Sequence, residues 1–192
     1  MLTLVLLTGP VVAQDFANRN DEALALISFA WQQLHYNIVF LAPRHGVRAM
    51  IFPSDHRIEV YARPSDDSRR LAYDIAHELG HAIDMTFNTA ETRRQWIEAR
   101  GINPDTPWFG CNGCSDFNTP AGDFAETFAF LLLGPGNFSG KIASAPTAEQ
   151  VPVLKAFFAP EVEPSPVNPS DAVEAQASAA EVPVESPVLA KK

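Results

Sequence analysis

Residues 71–84, LAYDIAHELGHAID, constrain this chain more than any other stretch. Leu71, Ile75, Leu79, Ala82 and Ile83 recur at three- and four-residue spacing, the period of a helix with one apolar stripe. Tyr73, His77 and His81 form a second row, four apart, so their side chains stand above one another on one helix face. Ser65, after Pro64, is the predicted N-cap, and Asp66 and Asp67 then fill a first turn where the helix dipole favours negative charge. A helix of this kind must bury its stripe, and it aims two imidazoles at a single point.

The second row contains His77-Glu78-Leu79-Gly80-His81, an H-E-x-x-H pattern. Two imidazoles at i and i+4 suit Zn²⁺, which takes neutral nitrogen ligands at roughly 2.0–2.1 Å. Glu78 projects beside such an ion rather than onto it, where it can accept a proton from a zinc-bound water. The pattern fixes only three positions. The helical setting and an acidic helix downstream lift it above a chance match, and one Zn²⁺ per chain is expected.

The rest of the chain supplies a setting for that helix. Its 192 residues are 46% hydrophobic, enough for one core. The net charge of −9, without a Lys/Arg cluster, argues against nucleic acid or an anionic membrane surface as partner. Residues 1–13 are apolar and too short to span a bilayer. Val11 and Ala13 fit the −3 and −1 positions of a signal-peptidase site, although no basic residue precedes the run. An export signal over 1–13, a single domain over 14–159 and a disordered Pro-rich acidic tail over 160–192 are expected. The product is then secreted or extracytoplasmic, with no stable membrane insertion, and a monomer.

Within the domain, a helix is predicted over 20–36, capped by Asn20, with Ala23, Leu24, Ile27, Ala30, Trp31 and Leu34 as its core stripe. Strands are predicted over 37–41, 48–52 and 57–62, with His45 and His56 in the connecting turns. Asn88 and Glu91 suggest a capping box for a helix that runs to Arg100, with Trp96 and Ile97 as core contacts. Residues 102–119 read as a loop. Cys111 and Cys114, the only cysteines, rule out a four-cysteine zinc site. A Cys111–Cys114 disulfide is expected of an exported chain, ahead of a redox C-x-x-C or a zinc-ligand role. Thr119-Pro120 opens a further helix that ends at Gly134, and a last helix lies near 153–158.

A catalytic zinc site needs three protein ligands. The five histidines are 35, 45, 56, 77 and 81, and none follows His81. The third ligand is therefore expected to be a downstream carboxylate. Residues 122–129, GDFAETFA, place Asp123 and Glu126 three apart on one helix face amid apolar neighbours. Buried acids there call for a cation. If neither binds, Cys111, Cys114 and Asp116 are the next candidates.

HELGHAID followed by DFAETFA resembles the gluzincin metallopeptidases, in particular the group of anthrax lethal factor and Pro-Pro endopeptidase. The resemblance is at the level of motifs, over about residues 57–133. It implies an α+β, zincin-like fold, with a small mixed sheet on the motif helix and a mostly helical second half. It implies a zinc-dependent peptidase in which Glu78 is the base and Asp84 supports the site from behind the ligands. In that group the ligand lies one turn before the F-A-E glutamate, which itself holds a histidine. That register falls on Gly122, which has no side chain. Either Asp123 takes over as ligand with Glu126 on a histidine, or Glu126 binds the metal; the first keeps Glu126 in the family's role. The resemblance also makes 57–62 the edge strand that pairs with a peptide or protein substrate. Tyr61, Tyr73, His45 and His56 are the candidates to stabilise an oxyanion. A non-catalytic secreted or cell-surface binding module on the same fold, and a cell-wall amidase, are the alternatives.

Overall fold

The computed structural model describes residues 9–110, 115–135 and 138–158, with side chains from residue 17 onward. The chain is α+β: a small mixed sheet with helices before and after it. In order come α1 (Gly9–Ala25), a 3-10 turn (Trp31–Leu34), β1 (Asn37–Leu41), β2 (Ala49–Phe52), a second 3-10 turn (Pro53–Asp55) and β3 (Arg57–Tyr61). Then follow α2 (Ser68–Phe87), α3 (Ala90–Ala99), a third 3-10 turn (Asp116–Asn118), α4 (Pro120–Leu133) and α5 (Val151–Ala156). Most of 1–13, both cysteines and the 160–192 tail lie outside the described residues.

The three strands fall where alternation and turn residues put them, but their order is β1-β3-β2. β3 pairs parallel with β1 and antiparallel with β2. The expectation that 57–62 forms an edge is therefore corrected. Both ladders of β3 are occupied, so β3 has no free backbone row for a further strand. Ile58 and Val60 point into the core, where Leu71, Ile75 and Leu79 of α2 meet them. That contact is why the α2 stripe exists.

Local signals placed α2, α3, α4 and α5 to within a turn, but the first helix runs Gly9–Ala25, so Asn20, its expected cap, lies inside it. Asp67, not Ser65, caps α2: its Oδ1 accepts from the Arg70 backbone N–H at 2.7 Å. Asp66 turns back instead, accepting from Arg48 and from the Arg63 backbone. Thr89 with Thr92, rather than Asn88 with Glu91, makes the capping box of α3. Thr119 and Pro120 open α4 as expected, and Gly134 closes it at φ +83°. The helix predicted over 20–36 ends at Ala25. Its stripe reported burial rather than helical period. Ala23, Ile27 and Leu34 all reach the core, from a helix end, a loop and a 3-10 turn.

The contact that builds the site is α2 against α4. A Cβ at Gly80 would lie 2.5 Å from the Ala125 Cα, so the two backbones touch where neither has a bulky side chain. Trp96, Phe124, Phe157 and Phe158 then fill the space beyond with edge-on and tilted rings. Among the described residues no helix is long and apolar enough to cross a membrane.

Candidate metal centre

α2 holds its second row of residues buried and in register, and α4 lies against it. His77 and His81 meet edge to face, ring centroids 5.0 Å apart. Their Nε2 atoms both face one oxygen, Asp116 Oδ2, at 3.0 and 3.2 Å. The three donor atoms lie within 4.8 Å of one another, and the group could hold a metal ion. Ligands about 2.0–2.2 Å from a tetrahedral ion are spaced by about 3.3 Å, close to these separations.

The far side of His77 makes the case sharper. Glu126 Oε2 lies 2.8 Å from His77 Nδ1. An ionised carboxylate only accepts, so Nδ1 carries a hydrogen, and in the neutral ring Nε2 is left with its lone pair. That lone pair points at another acceptor, Asp116 Oδ2. Two acceptors at 3.0 Å repel unless a proton or a metal cation lies between them. Glu78, also buried, stands close enough to His77, His81 and Asp116 to feel the charge of all three.

The electrostatics carry the same message. Burial works to lower the His77 pKa, but its hydrogen bonds to Asp116 and Glu126 and the nearby charges of Glu78 and Asp116 push it up to about 10. His81 is likewise raised, with burial again opposed by Asp116. Burial pushes the Glu78 carboxyl up, against the pull of both histidines. Burial would raise Asp116 too, yet the two histidines hold it far below the usual carboxylate range. Three acids around two imidazoles favour positive charge, which protons on the rings supply without metal and a metal ion could supply in their place.

Asp116 was only a reserve candidate from the sequence, and its position explains why Gly122 carries no side chain. The Asp116 carbonyl accepts from the Thr119 backbone N–H at 2.8 Å and from Thr119 Oγ1 at 2.9 Å. Thr119 Oγ1 in turn accepts from the Gly122 backbone as the α4 cap. A Cβ at Gly122 would lie 2.1 Å from the Asp116 carbonyl oxygen and 2.7 Å from its Oδ2. The third carboxylate enters from a turn through the space a helix side chain would fill. A lone acid three residues before a Thr-Pro cap, with Gly three residues after that Thr, is the signal that could have found it.

The other expected residues sort themselves by partner. Asp123, favoured as third ligand, is elsewhere: Arg100 grips it with two bonds of 2.8 Å, and Trp96 Nε1 donates to it at 3.1 Å. Three of its roughly four acceptor directions are taken by Trp96 of α3 and by Arg100 at its end. Glu126 is on His77, not in the donor cluster. Asp84, expected behind the ligands, receives Trp108 Nε1 at 2.8 Å, Asn88 and Arg93 rather than a histidine. It anchors the loop that leads toward Asp116. Of the oxyanion candidates, the Tyr73 hydroxyl is on Glu126, Tyr61 lies between Glu59 and Arg44, and His56 stacks on Tyr36. His45 lies in the turn between β1 and β2. Phe117, one residue past Asp116, stands 5.5 Å from the His77 ring.

Compared with protein-family models, curated proteins and solved structures, the chain gives no match.

Proposed function

We propose that the chain is an extracytoplasmic zinc-dependent peptidase with a zincin-like arrangement, in which His77, His81 and Asp116 hold the ion. The observation that carries this reading is the convergence of two imidazole Nε2 atoms and Asp116 Oδ2, with Glu78 buried beside them. When bound, zinc polarises a carbonyl and makes water acidic enough to attack near neutral pH. Glu78 takes the proton of the attacking water and returns it to the leaving amine. Its raised pKa suits both halves of that task. Glu126 fixes the His77 ring by its Nδ1–H and so keeps Nε2 on the ion.

β2 takes the substrate-pairing role first assigned to 57–62. It is an edge, antiparallel to β3. Arg48, just before it, bonds Asp74 at 2.6 and 3.0 Å, and Asp74 is one turn ahead of Glu78 on α2. The free edge therefore runs beside the turn that carries the base, where an extended peptide can add as a strand. The export expectation rests on residues 1–13 alone.

The test is metal analysis with a broad peptide-library digest. The protein should carry about one zinc per chain and cleave peptides, and Glu78→Gln should keep zinc while losing about 10²–10⁴-fold in rate. Zinc without cleavage of any peptide leaves a binding module, and cleavage confined to cell-wall amides leaves an amidase. Full cleavage in excess chelator would remove the metal mechanism.

A further inference from the structure

The phenol of Tyr73 is used by nothing in the mechanism above, yet it is buried one helical turn before His77 on the same face of α2. Its hydroxyl donates to Glu126 Oε1 at 3.1 Å, and the Ser139 backbone N–H donates to that same oxygen. Both donors sit on Oε1, so Oε2 is the oxygen left for His77 Nδ1, at 2.8 Å. The carboxylate cannot rotate without breaking all three contacts.

We infer that Tyr73 is a positioning residue of the metal centre, acting through Glu126 to hold His77 with its Nδ1 protonated and its Nε2 turned to the ion. The inference rests on the metal reading of His77, His81 and Asp116. The physical reason is a division of labour between the two oxygens. A carboxylate with a free Oε1 can swing, offer either oxygen, or pull away from the ring. With Oε1 occupied by a phenol and a backbone N–H, only one orientation satisfies every donor. The spacing is built into the helix, because residues 73, 77 and 81 are successive i+4 neighbours. The phenol thus lies at one end of a continuous line: Tyr73 Oη, Glu126, His77, then the cluster.

Tyr73→Phe removes the hydroxyl and keeps the ring packed against Ala76 and Ala129. Zinc affinity is measured at pH 7 by competition with a chromophoric chelator, for the wild-type chain, Tyr73→Phe, Glu126→Gln and the double variant. The absorption of the Co²⁺-loaded forms reports ligand geometry independently of activity. Tyr73→Phe should bind zinc roughly 10-fold more weakly and alter the Co²⁺ spectrum. The double variant should bind no more weakly than Glu126→Gln alone, because the phenol acts only through that carboxylate. A purely structural role would lower the melting temperature with and without metal and leave the affinity of the folded protein unchanged. That result, or losses that simply add in the double variant, overturns the inference. If Tyr73→Phe does not fold, the double variant, which removes the charge the phenol satisfies, is compared with Glu126→Gln on the same scale. Wild-type protein that takes up no zinc overturns the metal reading itself, and Tyr73's role with it.

Discussion

The two sides of the candidate metal centre are built on different kinds of backbone. His77 and His81 ride on a 20-residue helix whose rings leave only 11% and 10% of their side-chain surface exposed. Asp116 rides on a three-residue 3-10 turn and exposes 43% of its side chain. The helix side is held by the core: the stripe of α2 on β3, and Gly80 against Ala125. The turn side is held by Thr119 and by a space left open at Gly122. One side follows from the fold, and the other completes it. A donor on a turn can be lost without unfolding the domain, whereas the helix donors cannot move unless the core moves.

The strongest way to break this contrast is to exchange the acids. Asp123→Asn leaves the Arg100 guanidinium buried without its charge partner and should destabilise the fold by about 3–5 kcal/mol, read by chemical denaturation. Zinc affinity of the folded fraction should hardly change. Asp116→Asn should do the reverse, stripping zinc while lowering the metal-free melting temperature less than Asp123→Asn does, because Asp116 is half-exposed and its partners are two histidines at a turn. If Asp123→Asn strips zinc and Asp116→Asn does not, the assignment of the third ligand is wrong.

The glycines give a smaller test of the same contrast. Gly80→Ala drives a methyl group into the Ala125 backbone, on the core side. It should destabilise by about 1–3 kcal/mol and detach Glu126 from His77. Gly122→Ala presses on the Asp116 carbonyl, on the turn side. It should lower zinc affinity more than stability. Equal effects of both substitutions on zinc and on melting would mean that the two sides are one rigid unit.

The smallest effect is a slope with pH. In metal-free protein the His77 pKa rises from 6.5 to about 10. Its pairing with Asp116 and Glu126 is then fully stabilising below pH 6.5 and drains away as pH climbs toward 10, where the folded state gives up its extra proton. The melting temperature should fall steadily over that window without zinc, as the folded state loses the proton that the unfolded chain has already given up. With zinc added the slope should vanish or reverse, because the metal replaces the proton. A metal-free protein whose stability is flat across that window would show that His77 and Asp116 do not share a proton.

How far the sequence reached depended on the range of the interaction. The α2 row of Tyr73, His77 and His81 was legible because i+4 geometry is local. The α4 cap at Thr119-Pro120 and the stop at Gly134 were legible for the same reason. So were the three strands, whose alternation and turns sit within a few residues. The α+β class followed from those pieces. Asp123 and Glu126 could be placed on one face, but not told apart. One faces Arg100 of α3 and the other faces His77 of α2, and no local pattern says which neighbour an acid meets.

The sequence alone determined that two imidazoles, a flanking glutamate and a downstream acidic helix stand in this order with these spacings. Each is a consequence of helical period and capping, which are encoded within a turn or two. Only the tertiary structure decided which acid completes the group and which strand is left without a free edge. Those outcomes depend on how closely two backbones approach. Gly80 lets α4 touch α2, Gly122 lets Asp116 pass the first turn of α4, and pairing on both sides of β3 leaves β2 outside. Close approach is a property of pairs of segments distant in the chain, so it is visible only once the chain has folded.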